Sequence, residues 1–476
     1  MIETTRILVL GAGPTGLGAA WRLQALHQRD WLLLEADDTA GGLAGSVVDE
    51  HGFTWDFGGH VQFSHYGYFD RLMDDLLGAE GWHFHDRESW VWVRDRFVPY
   101  PFQLNLHRLP ADEARASIDG LARAARDAGV ARPANFGEWI DATFGEGIAR
   151  TFMRPYNHKV WARPPERLTW HWIGDRVAVG DVARVEENLR LHRDDVSWGP
   201  NNQFRFPVRG GTGAIWRTLA SRLQAAAPGR LHFGQRAVSI DTHAHEVQLA
   251  SGERVRYEHL ISTMPLDVCV RMSDLAPQLG AHLADLEFSS THVIGVGLHG
   301  LPPPALATKC WMYFPESNCP FYRVTHFSHY APANVPDSSR YWSLMAEVSE
   351  STFRPLASPD VDGDTVRGML ATGLVRDAAQ VHHTWHRRLE RGYPIPSLHR
   401  DRALGALLPA LASRGVWSRG RFGAWKYEVS NQDHSFAQGV EVVDHLLTGA
   451  LEETLHLPER VNARRPSPPA PNGGRG

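Results

Sequence analysis

Residues 6–16 read Arg6-Ile7-Leu8-Val9-Leu10-Gly11-Ala12-Gly13-Pro14-Thr15-Gly16. Ile7 to Leu10 is a wholly apolar run of the kind buried on both faces of a parallel sheet. The glycines that follow permit a tight turn and a close approach of backbone to a pyrophosphate. A helix through Leu17, Ala20 and Leu23 then points its N-terminus at that anion. A second apolar run, Trp31 to Leu34, ends in Glu35, at the roughly 20-residue distance where an acid meets a ribose hydroxyl. Alone, G-x-G-x-x-G is a glycine-rich turn. With the strand before, the helix after and the acid in place, it predicts a Rossmann-like dinucleotide-binding unit.

Further along, the pattern changes. From Leu109 to Arg193 it is helical: Pro110 opens one helix with Asp112 and Glu113 in its first turn, and Ile118, Leu121 and Ala125 share a face. A second helix is capped at Asn135, carries Phe136, Trp139, Ile140 and Thr143, and is closed by Gly145. After Val208-Arg209-Gly210-Gly211-Thr212-Gly213 come a helix to about Leu223 and a strand from Ala237 to Ile240. A hairpin turns at Ser251-Gly252 between Val247–Ala250 and Arg254–Tyr257, and Leu260 to Pro265 ends it as a buried strand leaving toward a ligand. Residues 291–400 read as strands, notably Val293–Leu298 and Tyr341–Met345, and a helix spans Gly439–Leu447.

The 476-residue chain is 43 % apolar and 22 % charged, which excludes a disordered or collagen-like protein. Forty-nine basic against 54 acidic side chains leave a formal −5, without the basic excess of a nucleic-acid binder. Cys269, Cys310 and Cys319 lack Cys-x-x-Cys spacing, and no apolar run reaches the ~20 residues of a membrane span. A cytoplasmic protein without metal, membrane or nucleic-acid partner is the expectation. The 17 tryptophans suit sugars and flat rings, but equally a Trp-rich core.

Several ordered blocks carry a resemblance. They are Ala40-Gly41-Gly42-Leu43-Ala44, Gly58-Gly59-His60-Val61-Gln62-Phe63-Ser64-His65-Tyr66, Val98-Pro99-Tyr100-Pro101-Phe102-Gln103 and Phe152-Met153-Arg154-Pro155-Tyr156-Asn157. Trp198-Gly199-Pro200-Asn201, Cys310–Pro315, Cys319–Arg323, Arg421–Tyr427 and Asn431–Phe436 continue the set. Together they resemble the eukaryotic-type UDP-galactopyranose mutases, FAD enzymes of the amine-oxidase-like flavoprotein superfamily, to about residue 460.

The resemblance implies an α/β fold in which a Rossmann-like FAD-binding domain (1–85, 197–265, 401–462) receives an inserted helical domain (109–196) and an antiparallel β-sheet domain (86–108, 266–400), with a disordered tail at 463–476. It implies interconversion of UDP-galactopyranose and UDP-galactofuranose without net redox, N5 of reduced FAD attacking the anomeric carbon and expelling UDP. A mutase of a related NDP-hexose and an amine-oxidase-type oxidoreductase are the alternatives.

Residue by residue, the resemblance places Arg176 and Arg323 on the diphosphate and galactose, joined by the hydroxyls of Tyr313, Tyr393 and Tyr427. Uracil falls to Tyr100, Phe102, Gln103, Phe152 and Tyr156, although Phe152 equally suits core packing; Asn157 and Trp161 help hold the uridine diphosphate. Asn201, His65 and Arg87 surround the sugar, His60 lies against the flavin, and Trp311 lines the entrance. FAD is assigned Gly11, Gly13, Thr15, Gly16, Glu35, Gly41, Gly42, Leu43, Gly58, Gly59, Val61, Val238, Arg421, Asn431, Gln432, Asp433 and Ser435. NADPH, the implied reductant, shares the substrate cleft at Arg87, Ser89 and Arg421, since no second fingerprint exists. Gln62 departs from the family by replacing an apolar residue beside the flavin, and a shortened segment between Tyr330 and Tyr341 leaves homo-oligomer formation open.

Overall fold

The computed structural model describes residues 2–129, 132–196 and 202–464. Strand β1 (Ile2–Leu10) runs into helix α1 (Pro14–Ala25) and returns as β2 (Trp31–Leu34) beside it, parallel, with Leu8 opposite Leu32. All four β2 side chains are buried, as a parallel strand covered on both faces requires. The other side of β1 pairs with Arg254–Ser262, also parallel. The sheet extends through Val416–Ser418 and Leu231–His232, and an antiparallel ribbon of Ala237–Asp241 and Glu246–Leu249 completes it.

The second arm of the hairpin runs into the buried stretch from Leu260 as a single nine-residue strand, which stops at Ser262. Its first half alternates exposed Arg254, Arg256 and Glu258 with buried Val255 and Tyr257, whereas Leu260 to Ser262 are buried throughout.

α1 packs against Gln432–Thr448, which begins seven residues before the helix expected from Gly439. The approach is very close: a Cβ on Gly18 would sit 2.3 Å from the Phe436 carbonyl oxygen, and one on Gly439 only 1.9 Å from that of Thr15. Both helices therefore start at the same edge of the sheet.

The second sheet has the strand order Val381–Pro394, Phe288–His299, Tyr341–Glu350, Arg323–His326, Trp311–Tyr313, Ser89–Val93, Arg96–Pro99. Its pairings are antiparallel apart from Trp311–Tyr313 with Ser89–Val93. Helices Ala111–Arg126, Phe136–Ile148, Arg154–Trp161 and Val182–Leu191 form the inserted block. Asn135 caps the second as expected, its side chain accepting from the Glu138 N–H at 2.9 Å. Pro110 sits at the cap of the first rather than inside it. Gly145 breaks the second at φ +70° without ending it, because the chain resumes helix to Ile148. A π-helical turn, Ala149–Met153, then leads into Arg154–Trp161 and brings Phe152 beside Tyr156. No helix among the described residues is long and apolar enough to cross a membrane.

Candidate active site

A cleft of about 1360 Å³ runs from the glycine turn to the second sheet, and a smaller cavity of about 260 Å³ opens from it toward the helical block. Phe63, Arg176, Trp311, Tyr313, Arg323, Tyr393, Tyr427 and Asn431 line both, so the two spaces share a wall.

The floor of the cleft is built for an anion. Gly11 adopts φ +104°, and a Cβ there would meet Thr263 Oγ1 at 2.2 Å. Gly16 is required by the 1.8 Å gap to the Gly11 carbonyl oxygen. Gly13 and Gly42 face one another, with a Cβ on Gly42 reaching within 3.4 Å of Gly13 Cα. α1 has no side-chain cap and no acid in its first turn, which leaves its first N–H groups to a ligand. Glu35 lines the same cleft, where its carboxylate accepts from the N–H of Ala12 (2.5 Å) and Asp37 (2.9 Å). Burial outweighs those bonds and raises its pKa. Leu43, Thr15, Gly58, Gly59, Val61, Gln432, Asp433 and Ser435 also border the cleft.

Across from this floor, Arg323 gives both Nε and Nη2 to the carboxylate of Glu347, the latter at 2.8 Å. Burial pushes the Glu347 carboxyl up, but the adjacent Arg323 charge and its hydrogen bonds more than reverse this and hold it below its usual range. Arg421 is half-buried and donates to Ser430 Oγ (2.8 Å) and the Gly392 carbonyl (2.9 Å), with its guanidinium 5.0 Å from the Tyr393 ring centre. Arg176 donates to the Glu428 carbonyl and lies 5.5 Å from the Tyr427 ring centre; its Nε is buried without a partner. Among the described residues neither Arg176 nor Arg421 has a carboxylate partner. Desolvation lowers the pKa of Arg421, and two such cations on one wall call for an anionic ligand.

His60 is half-buried beside Arg323, Glu347 and Arg421, and desolvation lowers its pKa to about 4, so the ring is neutral at pH 7. Unpaired buried polar atoms concentrate on this wall: His60 Nδ1, Gln62 Nε2, Thr291 Oγ1 and Thr325 Oγ1. Cofactor heteroatoms fit that need, as they fit the glycine cradle.

In the smaller cavity Phe152 and Tyr156 stack at 5.2 Å, and Tyr156 and Tyr100 each meet the edge of Tyr313. Gln103 donates its amide N–H to the Ala178 carbonyl, leaving Oε1 buried and unpaired. The indole N–H groups of Trp161 and Trp172 are likewise unpaired. Asn157 gives its amide N–H to the Met153 carbonyl at 2.7 Å. Arg87 lines this cavity, 5.8 Å from the Tyr100 ring centre, and donates to Asn202 Oδ1 at 3.3 Å. His65 Nδ1 bonds Asp433 Oδ2 at 2.8 Å and its ring stacks on His434 at 4.6 Å. His65, Asp433 and His434 are the one group among the described residues whose three ligand atoms could converge on an ion. No metal was expected from the sequence, and Asp433 Oδ2 is already committed to the His65 backbone and ring.

Five expected residues do not line either cavity, Gly16 and Gly41 of the glycine turns being the first two. Phe102 is wholly buried beneath Phe152 in the core. Val238 points outward at 44 % exposure, while its neighbour Ala237 lines the cleft. Ser89 is buried at the start of its strand and borders neither space. Asn201, with the Trp198–Asn201 block, lies outside the described residues, as does the tail from 465. The structure adds Glu347, Trp172, Phe63 and Thr325. Glu347 sits in an apolar strand, where a lone acid flanked by Ala346 and Val348 is a legible sign of a buried partner.

A family model described as flavin containing amine oxidoreductase matches residues 14–304. The fold is similar to a crystal structure of reduced UDP-galactopyranose mutase, with 48 % identity, 98 % of each chain covered and a TM-score of 0.93. A CLA-producing fatty acid isomerase from P. acnes (14 % identity, 93 % of this chain and 99 % of that, TM-score 0.61) shares the fold alone. So does a putrescine oxidase bound to putrescine (14 %, 94 % and 100 %, TM-score 0.61). Matched over nearly its whole length at 48 % identity, the chain belongs to the UDP-galactopyranose mutase family of flavin-containing amine oxidoreductases.

Proposed function

We propose that the chain interconverts UDP-galactopyranose and UDP-galactofuranose with FAD in the large cleft and the uridine in the small cavity. The observation that carries this reading is the shared wall, where Arg176, Arg323, Tyr313, Tyr393 and Tyr427 stand between the two spaces. A diphosphate bridging nucleoside and sugar belongs at such a junction.

In this reading Phe152 and Tyr156 stack on the uracil, and the unpaired Gln103 Oε1 accepts its imide N–H. Trp161 and Trp172 offer indole N–H groups to the ribose or phosphates. The Gly11–Gly16 turn, Glu35, Gly41, Gly42 and Asn431–Ser435 would hold FAD, which in its reduced form would supply a nucleophilic nitrogen for the anomeric carbon. The departing diphosphate is already anionic, so what the protein provides is positive charge from Arg176 and Arg323 rather than a proton. Glu347 fixes the Arg323 fork in one orientation and thereby positions it. His60, neutral at pH 7, is no acid here and serves the cofactor through its backbone. Asn201, His65 and Arg87 complete the sugar pocket. NADPH entering at Arg87 and Arg421 is the reductant; both border the cavities. The reading extends to a cytoplasmic location, which the three buried free cysteines favour, and to no nucleic-acid partner, which the net charge of −5 favours.

The test is incubation of dithionite-reduced holoenzyme with UDP-galactofuranose and separation of the products by chromatography. UDP-galactopyranose is expected. Tight UDP binding without conversion would overturn this substrate in favour of a related NDP-hexose, and oxygen consumption with an amine would favour the oxidase chemistry of the wider superfamily.

A further inference from the structure

Gln62 lies between His60 and Phe63 on the wall of the large cleft and is 2 % exposed. Its backbone is clamped on both sides: its N–H donates to the Arg205 carbonyl at 3.1 Å, and Arg205 N–H returns a bond to the Gln62 carbonyl at 3.0 Å. Arg205 is itself anchored, donating to the Asp74 carboxylate and the Asp70 carbonyl (3.2 Å), with its guanidinium 4.6 Å from the Trp82 ring centre. The side chain therefore leaves a fixed point. At its end the amide Nε2 is buried with no hydrogen-bond partner.

A primary amide has two N–H donors. Walling one off unpaired is costly, and such a group is retained where something else supplies the acceptor. The large cleft holds three candidate acceptors once filled: the edge of the flavin ring, the diphosphates and the sugar hydroxyls. The cationic groups that suit diphosphates are Arg176, Arg323 and Arg421, and Gln62 lines the large cleft without lining the small cavity where the uridine is placed. We propose that Gln62 is a cofactor-tuning residue whose side-chain N–H donates to a carbonyl oxygen of the bound flavin ring. It rests on the FAD reading above and adds to it a residue that the family resemblance assigns no such bond.

The physical consequence is on the redox couple. Reduction adds electron density to the flavin ring, so a donor aimed at a ring carbonyl stabilises the reduced form more than the oxidised form. Gln62 thus favours the state in which the enzyme works. Gln62→Leu and Gln62→Met remove the donor at similar volume.

The experiment compares the midpoint potential of bound FAD in wild type and both variants by anaerobic dye titration, alongside the flavin carbonyl bands in resonance Raman spectra. A tenfold loss of preference for the reduced form, a fall of about 30 mV for a two-electron couple, is expected with a carbonyl band moved toward its unbonded position. Equal potentials and bands in FAD-loaded variants would overturn the proposal. An unchanged potential with a raised KM would also overturn it, by placing the amide on the sugar. Should neither variant load FAD, the wild type alone decides: a carbonyl band that shifts in D2O as its donor exchanges supports the bond, and an unmoved band refutes it. Wild-type protein that takes up no FAD would contradict the cofactor reading itself, and the proposal with it.

Discussion

Arg323 shows how a single side chain gains its role from a neighbour far away in sequence. Its fork is held by Glu347, which is 3 % exposed, and Tyr322 adds a hydroxyl bond to the same carboxylate at 3.2 Å. Lysine keeps the charge at this position but cannot reproduce the two parallel N–H bonds. Arg323→Lys is therefore expected to weaken UDP binding by about 10- to 100-fold, or about 1.4–2.7 kcal/mol, read by calorimetry; an unchanged affinity would remove Arg323 from the diphosphate. Glu347→Gln leaves the half-buried guanidinium beside a neutral amide. Breaking a buried pair from one side typically costs about 3–5 kcal/mol, so denaturant unfolding should show a fall of about that size together with a loss of turnover. A stability within about 0.5 kcal/mol of wild type would contradict the buried pair.

At the scale of elements, the crossing of α1 with Gln432–Thr448 carries the cofactor site. The glycines at 18 and 439 let the two backbones touch, and both helix N-termini open on the cleft. A methyl at either position must push the helices apart, an overpacking that costs about 1–3 kcal/mol and widens the distance between Gly13 and Asn431–Asp433. Gly439→Ala should lower the melting temperature and speed loss of FAD on dialysis; a variant that keeps its flavin as wild type does would show that the contact is incidental. This crossing was only half legible in the sequence. The glycine turn and its strand are dictated by an apolar run and a strained φ, so both could be read locally. That second helix begins with the polar Gln432, Asp433 and His434, of which Asp433 and His434 are buried, and an apolar pattern sees only the part from Gly439. Val381–Pro394 falls within the stretch read broadly as strands, but its bounds were not legible. It is an edge strand rich in His and Arg, half exposed along its length, with no apolar alternation to mark it. Phe102 failed in the opposite sense: an aromatic within a site motif is, in space, the layer behind the site.

Across the whole molecule, buried titratable groups set the response to pH, and they pull in both directions. His60 and His326 have pKa values lowered to about 4 and His434 to about 3, chiefly by desolvation. As pH falls below their unfolded value near 6.5, the unfolded chain takes up protons that the folded chain refuses, and stability is lost until pH reaches those folded values. Asp56 and Glu441 act in the opposite sense: burial raises both to about 7, so the folded state holds their protons between about pH 4.5 and 7 and gains stability there as pH falls. Three histidines outweigh two acids. Other partly buried histidines, His85, His107, His158 and His292 among them, are also shifted downward. Stability should therefore rise with pH between 5 and 6.5, by about 1.4 kcal/mol per pH unit for each net proton, measured by urea unfolding of the FAD-loaded protein. A stability that falls over that interval would show that the histidines are not buried neutral. The shared wall is likewise a whole-molecule property, since it joins residues from 63 to 431, and no local reading of the sequence could place its two cavities side by side.

The central claim is a flavin reaction with no net redox, and the most direct measurement counts product against reductant. Holoenzyme would be reduced anaerobically with one equivalent of NADPH, mixed with excess UDP-galactofuranose and sampled for UDP-galactopyranose, with an oxidised sample alongside. Many product molecules for each flavin, with no further NADPH consumed and none formed by the oxidised sample, is the predicted result. Product limited to one molecule per reductant, or equal conversion in the oxidised sample, would contradict the account.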